Sequence, residues 1–160
     1  MDITNEESFF LTSNKTKEIL INNLNKFNIY NKPKNFNIFC MNIRSIGKNF
    51  DNLYTEIITY KLNLDIIILT EIWGDNIKEK IKQISGFKQI TYSKLLNQSG
   101  GVALYYKNDI NFTLLNDKID TADSIIGTFK LKDKLFTIVA IYRSQSLKNI
   151  KKFNDDLINS

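Results

Sequence analysis

Two stretches of the chain are apolar at successive positions rather than at alternate ones: "FNIFCMNI" from Phe36 to Ile43 and "LDIIILT" from Leu64 to Thr70. A strand with one wet face would alternate, so both are predicted as strands buried on two faces. Between them Phe50, Leu53, Tyr54, Ile57 and Ile58 recur at helical spacing. Strand, helix, strand at this length predicts a βαβ unit with parallel strands and a right-handed crossover. The C-terminal ends of its two strands then lie side by side.

Upstream, residues 1–13 carry no periodic pattern and are expected to be disordered. Asn14 to Asn28 reads as an amphipathic helix with Ile19, Leu20, Leu24 and Phe27 on one side. The only proline, Pro33, sits in "NKPKN" and marks a domain start near Phe36. This divides the chain into an N-terminal extension, 1–35, and a domain, 36–160. Downstream, a short helix is expected near Ile77 to Ile84. Antiparallel strands follow at "GFKQITYS", "GGVALYYK" and the pair "SIIGTFKL" and "LFTIVAIY", the last two joined by a tight turn around Lys132 to Lys134. A final helix over Leu147 to Ile158 would turn Ile150, Phe153, Leu157 and Ile158 inward. The fold class is α/β, a mixed sheet with a βαβ start and antiparallel extension.

A hydrophobic content of 42% supports a core of ordinary size. The formal charge of +5 points toward anionic partners, but Ile, Asn and Lys dominate the sequence throughout, which dilutes that signal. Cys40, the single cysteine, is expected to pack in its apolar run as a small hydrophobe. No disulfide framework exists, so the expected setting is intracellular, nuclear or cytoplasmic. The acidic start "MDITNEESFF" lacks the pattern of a secretory signal, and no apolar run reaches bilayer length. With no histidine in the chain, Ser-His-Asp and Cys-His nucleophile systems, His-ligated zinc and histidine general bases are excluded within it.

Three apolar strands end in polar residues: Asn42, Glu71, and the pair Tyr142 and Arg143. In open α/β sheets ligands bind outside the carboxyl ends of the strands, so Asn42 and Glu71 are expected to share a rim. A carboxylate with an amide beside it suits a hard, water-retaining cation such as Mg²⁺. Taken singly, each residue also reads as an ordinary strand end: a solvated Glu, a turn Asn, an edge Tyr. Arg44 and Arg143 follow strand ends, where a guanidinium meets either a phosphate or a neighbouring carboxylate.

Taken together, "NIFCMNIRSI", "LDIIILTEIWGDN", "GF" at Gly86, "SGGVALYYKNDI" and "FTIVAIYRSQS" resemble, in order and approximate spacing, the endonuclease/exonuclease/phosphatase superfamily. The closest likeness is to the apurinic-like endonuclease domain of non-LTR retrotransposons. The resemblance implies half of a four-layer α/β sandwich and a Mg²⁺-dependent phosphodiesterase, with Mn²⁺ as a substitute. It also implies catalytic roles for Asn42, Glu71 and Tyr142, with Glu71 and Asn42 holding the metal. Arg44, Ser99, Gly100, Gly101 and Arg143 fall on the substrate or phosphate side; the glycine pair also reads as an ordinary turn. Asp123 matches an acid common in relatives, without an assigned role.

Relatives continue into a second half with "GD-x-N" and "SDH" motifs, which this sequence lacks, and "YRSQS" stands where the retrotransposon group has "YRPP". The expected function is therefore a truncated phosphodiesterase domain, inactive alone, with weak metal affinity. The alternative is a non-catalytic nucleic-acid or protein binding module on the same fold. Expected partners are nucleic acid, DNA before RNA and weakly bound, and either a second copy or a separate C-terminal half covering the sheet face that lacks one. No membrane association is expected.

Overall fold

A computed structural model of the chain describes residues 36–73, 82–94, 98–146 and 148–158. The expected N-terminal helix and its disordered leader lie outside these residues. So does most of the helix expected at Ile77 to Ile84, of which residues 82–84 are irregular.

The βαβ unit is present. Strand β1 (Ile38–Asn42) pairs in parallel with β2 (Ile66–Thr70), with Ile38 beside Ile66 and Asn42 beside Thr70. Helix α1 (Ile46–Thr59) connects them and buries Ile46, Phe50 and Leu53. It ends on Lys61, which adopts the left-handed conformation usually left to glycine (φ 49°). The amides of Lys61 and Leu62 turn back to the carbonyls of Ile58 and Ile57, and the apolar pair Leu62 and Ile57 packs onto the core beside them. Ile58, expected on the inward stripe, is 56% exposed.

The antiparallel extension divides in two. Strands β3 (Phe87–Tyr92) and β4 (Val102–Lys107) join the first sheet in the order β1-β2-β4-β3, so β4 is central and five of its six residues are buried. Strands β6 (Asp123–Leu131) and β7 (Lys134–Tyr142) form a hairpin across a two-residue turn with Lys132 at φ 55°. The short β5 (Phe112–Leu114) completes a second, three-stranded sheet, β5-β6-β7.

The two sheets share one core. Ile66, Val102, Leu104 and Tyr106 of the first pack with Ile125, Phe129, Ile138 and Ala140 of the second. This corrects the expectation that the inner face of the first sheet lacks a partner within the chain; at its β1 margin Ile38 and Cys40 are exposed. Cys40 is therefore no core residue: it lies on an edge strand, facing the sheet-to-sheet side beyond the reach of the second sheet. The other face of the first sheet, with Phe39, Ile67, Leu69 and Tyr105, packs on α1. Helix α2 (Ile150–Ile158) sets Phe153 against Ile126 and Ile141 of the second sheet. Its Ile150, Leu157 and Ile158, expected to face inward, are exposed. Among the described residues no helix is long and apolar enough to cross a membrane.

Candidate functional site

The C-terminal ends of β1 and β2 form the rim that the βαβ topology requires. Asn42 and Glu71 meet there directly: the Asn42 Nδ2 donates to Glu71 Oε1 at 2.9 Å. The Thr70 hydroxyl donates to the Asn42 carbonyl oxygen, so the amide is held from both ends. Glu71 is half-buried. Its cost at the end of an apolar strand is met by this hydrogen bond and by the solvent it still touches.

The backbone around the rim is unusual. Arg44 (φ 50°), Ser45 (φ 83°), Glu71 (φ 55°) and Trp73 (φ 47°) all lie in the left-handed region, which costs non-glycine residues free energy and persists only where surrounding structure imposes it. The imposing bonds are present. Ile43 N–H donates to Thr70 O at 2.9 Å, Ser45 N–H to Glu71 O at 2.9 Å and Ile46 N–H to Ile72 O at 3.0 Å. Asn49 of α1 donates its amide to the carbonyls of Ile43 (2.8 Å) and Arg44 (2.7 Å). The two loops are thus laced together just beyond the strands, and Arg44, two residues after Asn42, is exposed.

The glycine-rich segment is built into the same end. Trp73 N–H donates to Gly100 O at 3.2 Å. Gly101 has φ 95°, and a Cβ there would stand 2.6 Å from the Ile72 side chain. Its N–H donates to Asp123 Oδ2 at 2.8 Å, while Lys94 N–H donates to the other oxygen, Oδ1, at 2.6 Å. Gly101 and Gly100 are buried and Ser99 half-buried, so this segment braces the rim, and the Gly101 amide faces a carboxylate rather than solvent. Asp123, whose role the sequence leaves open, is the buried acceptor that joins the ends of β3 and β4 to the second sheet.

Tyr142 lies opposite Asp123 in the β6–β7 register, which brings it to the same end of the molecule, half-buried with its ring in the shared core. Arg143 turns instead to α2, its guanidinium carbon 5.5 Å from the Phe153 ring centre. Tyr92, at the end of β3, was not anticipated. Its hydroxyl is pushed above the usual tyrosine range by burial and then by Asp123 and Asp120, and Lys118 sits 5.5 Å over its ring.

Among the described residues no three His, Cys, Asp or Glu side chains gather as a ready-made metal cage. The donor set at the rim is one carboxylate, Glu71, held by one amide. That fits a hard cation retaining most of its water and taking its remaining ligands from a phosphate. In a scan against protein-family models and a search of curated proteins, nothing matches the chain.

Proposed function

We propose that the chain carries the metal-holding part of a Mg²⁺-dependent phosphodiesterase site, of the kind found in the endonuclease/exonuclease/phosphatase superfamily, acting on nucleic acid. The observation that carries this reading is the Asn42–Glu71 hydrogen bond across adjacent parallel strand ends, within loops whose strained backbone is laced in place. Strain retained at a polar rim is a mark of a functional site, and here it serves to aim one carboxylate. Glu71 is the ligand. Asn42 fixes the Glu71 carboxylate rather than binding the ion itself, because its nitrogen faces Glu71 and its oxygen accepts from Thr70. A bound Mg²⁺ would polarise a phosphoryl oxygen. Arg44 supplies a planar cationic donor to the same phosphate, and Tyr142 approaches from the second sheet.

The 160 residues include no histidine, so the chain alone has no imidazole to activate water. Isothermal titration of Mg²⁺ and Mn²⁺ into the parent and Glu71→Gln tests the assignment. Weak binding to the parent that disappears in Glu71→Gln is expected; equal heats from both proteins overturn it. Nucleic-acid binding that survives Glu71→Gln and ignores divalent ions would favour the binding-module reading.

A further inference from the structure

Two residues beyond Glu71 stands the only tryptophan of the chain, and neither backbone preference nor burial accounts for a tryptophan there. Trp73 adopts φ 47°, a conformation that costs free energy for any large side chain. It is not a core residue either: 37% of it is exposed, which leaves apolar ring surface in water. Among the described residues no aromatic ring or cation stacks on its indole.

The backbone beneath that ring is nonetheless fixed from both sides. Ser45 N–H and Ile46 N–H donate to the carbonyls of Glu71 and Ile72, at 2.9 and 3.0 Å, and Trp73 N–H donates to Gly100 O at 3.2 Å. Ile72 is fully buried, its side chain 2.6 Å from where a Cβ on Gly101 would stand. Glu71 and Trp73 thus reach solvent on either side of one anchored residue, their Cα atoms no more than about 7.6 Å apart. A ring carried on a preset backbone loses little conformational freedom when a ligand lies on it.

We propose that Trp73 is a stacking platform for an unpaired nucleobase, carried by the nucleotide next to the phosphate held at Glu71. The proposal rests on the reading of this rim as a phosphodiester site and narrows its substrate to single-stranded nucleic acid. Inside a duplex both faces of each base are covered by its neighbours, so only an unpaired base offers a face to the indole. Every base has such a face. The contact therefore tolerates any sequence, and it adds affinity of a kind that the lysines, acting on phosphates alone, do not supply.

Indole fluorescence reports Trp73 alone, since the chain has no other tryptophan. Three probes are titrated into the 160-residue chain: a single-stranded oligothymidylate of about twelve nucleotides, an abasic oligomer with the same number of phosphates, and the duplex of the oligothymidylate with its complement. The oligothymidylate is expected to quench the indole, and the abasic oligomer to leave it unquenched at saturation. By anisotropy, Trp73→Ala is expected to weaken oligothymidylate binding about tenfold or more while leaving affinity for the abasic oligomer and the duplex unchanged. Trp73→Phe keeps a smaller ring and should lose less, which keeps the test decisive if Trp73→Ala does not fold. Titrations are run in EDTA, so a failed Mg²⁺ titration leaves the stacking result standing, and a failed stacking result leaves the metal assignment standing. No binding of the oligothymidylate by the parent, equal quenching by the abasic oligomer, or a loss in the variants no greater for the oligothymidylate than for the other two probes each overturns the proposal.

Discussion

At the scale of single residues, Asp123 shows how one carboxylate stabilises a rim that has little regular structure. Both oxygens accept backbone amides, from Lys94 and Gly101, in a buried position. Removing the acceptor leaves two amides without partners, each costing about 1–3 kcal/mol. Asp123→Ala is therefore expected to lower the urea midpoint strongly and Asp123→Asn, which keeps one acceptor oxygen, to lower it less. Gly101→Ala combines an unfavourable φ with a Cβ 2.6 Å from Ile72, and should cost about 2 kcal/mol or more by the same measurement. Tyr105 sets a pH limit. It is fully buried with its hydroxyl donating to Lys82 O at 3.1 Å, and burial holds it well above the ordinary tyrosine range. The unfolded chain loses that proton near its usual value of about 10 and the folded chain does not. This contribution to stability is thus complete below about pH 10 and declines as pH rises beyond it. Melting temperatures from pH 8 to 11 should fall less steeply for Tyr105→Phe than for the parent.

At the scale of elements, what could be read from the sequence was set by how locally each contact is encoded. The βαβ unit was legible because its strands are apolar at successive positions and its helix keeps one stripe, and the adjacency of Asn42 and Glu71 follows from parallel pairing alone. The clamp by Asp123 was not, since nothing near residue 123 specifies residues 94 and 101. Periodicity assigns faces but not sheets, so the β6–β7 hairpin read as an extension of the first sheet rather than the basis of a second. The three-residue β5 is too short to show a period. In α2, four apolar residues at helical spacing imitate a buried stripe, yet only Phe153 reaches the second sheet. Gly127 explains how β5 docks: a Cβ there would lie 2.2 Å from the Phe112 ring and 2.8 Å from Thr113 O. Gly127→Ala is expected to displace β5, with faster amide exchange at residues 112–114 and a stability loss of about 1–3 kcal/mol.

For the whole molecule, the charge distribution bears on what the proposed site can do with nucleic acid. At the opposite end from the rim, Asp65 accepts from Lys107 Nζ at 2.7 Å and from the Asn37 amide at 2.7 Å, so this lysine is tied into the fold. Lys94 likewise donates to Ile119 O at 2.7 Å. The chain has a formal charge of +5 and only two arginines, one of which stacks on Phe153. Lysines act as point charges on phosphates and do not read base edges in the bidentate way of arginine. Without a histidine, the chain alone is expected to leave supercoiled DNA un-nicked in Mg²⁺, as a gel assay with Glu71→Gln alongside would test. Binding without cleavage should then be electrostatic. If about three phosphates are neutralised, log affinity falls against log salt with a slope of about −2.7, which is roughly a fortyfold loss between about 50 and 200 mM. Fluorescence anisotropy on a labelled duplex measures that slope. Arg44→Ala should reduce its magnitude by about one if the exposed Arg44 guanidinium contacts a phosphate, with the same change on unrelated sequences. A slope near zero in the parent would remove the electrostatic account, and an Arg44→Ala slope equal to the parent's would remove Arg44 from the phosphate path.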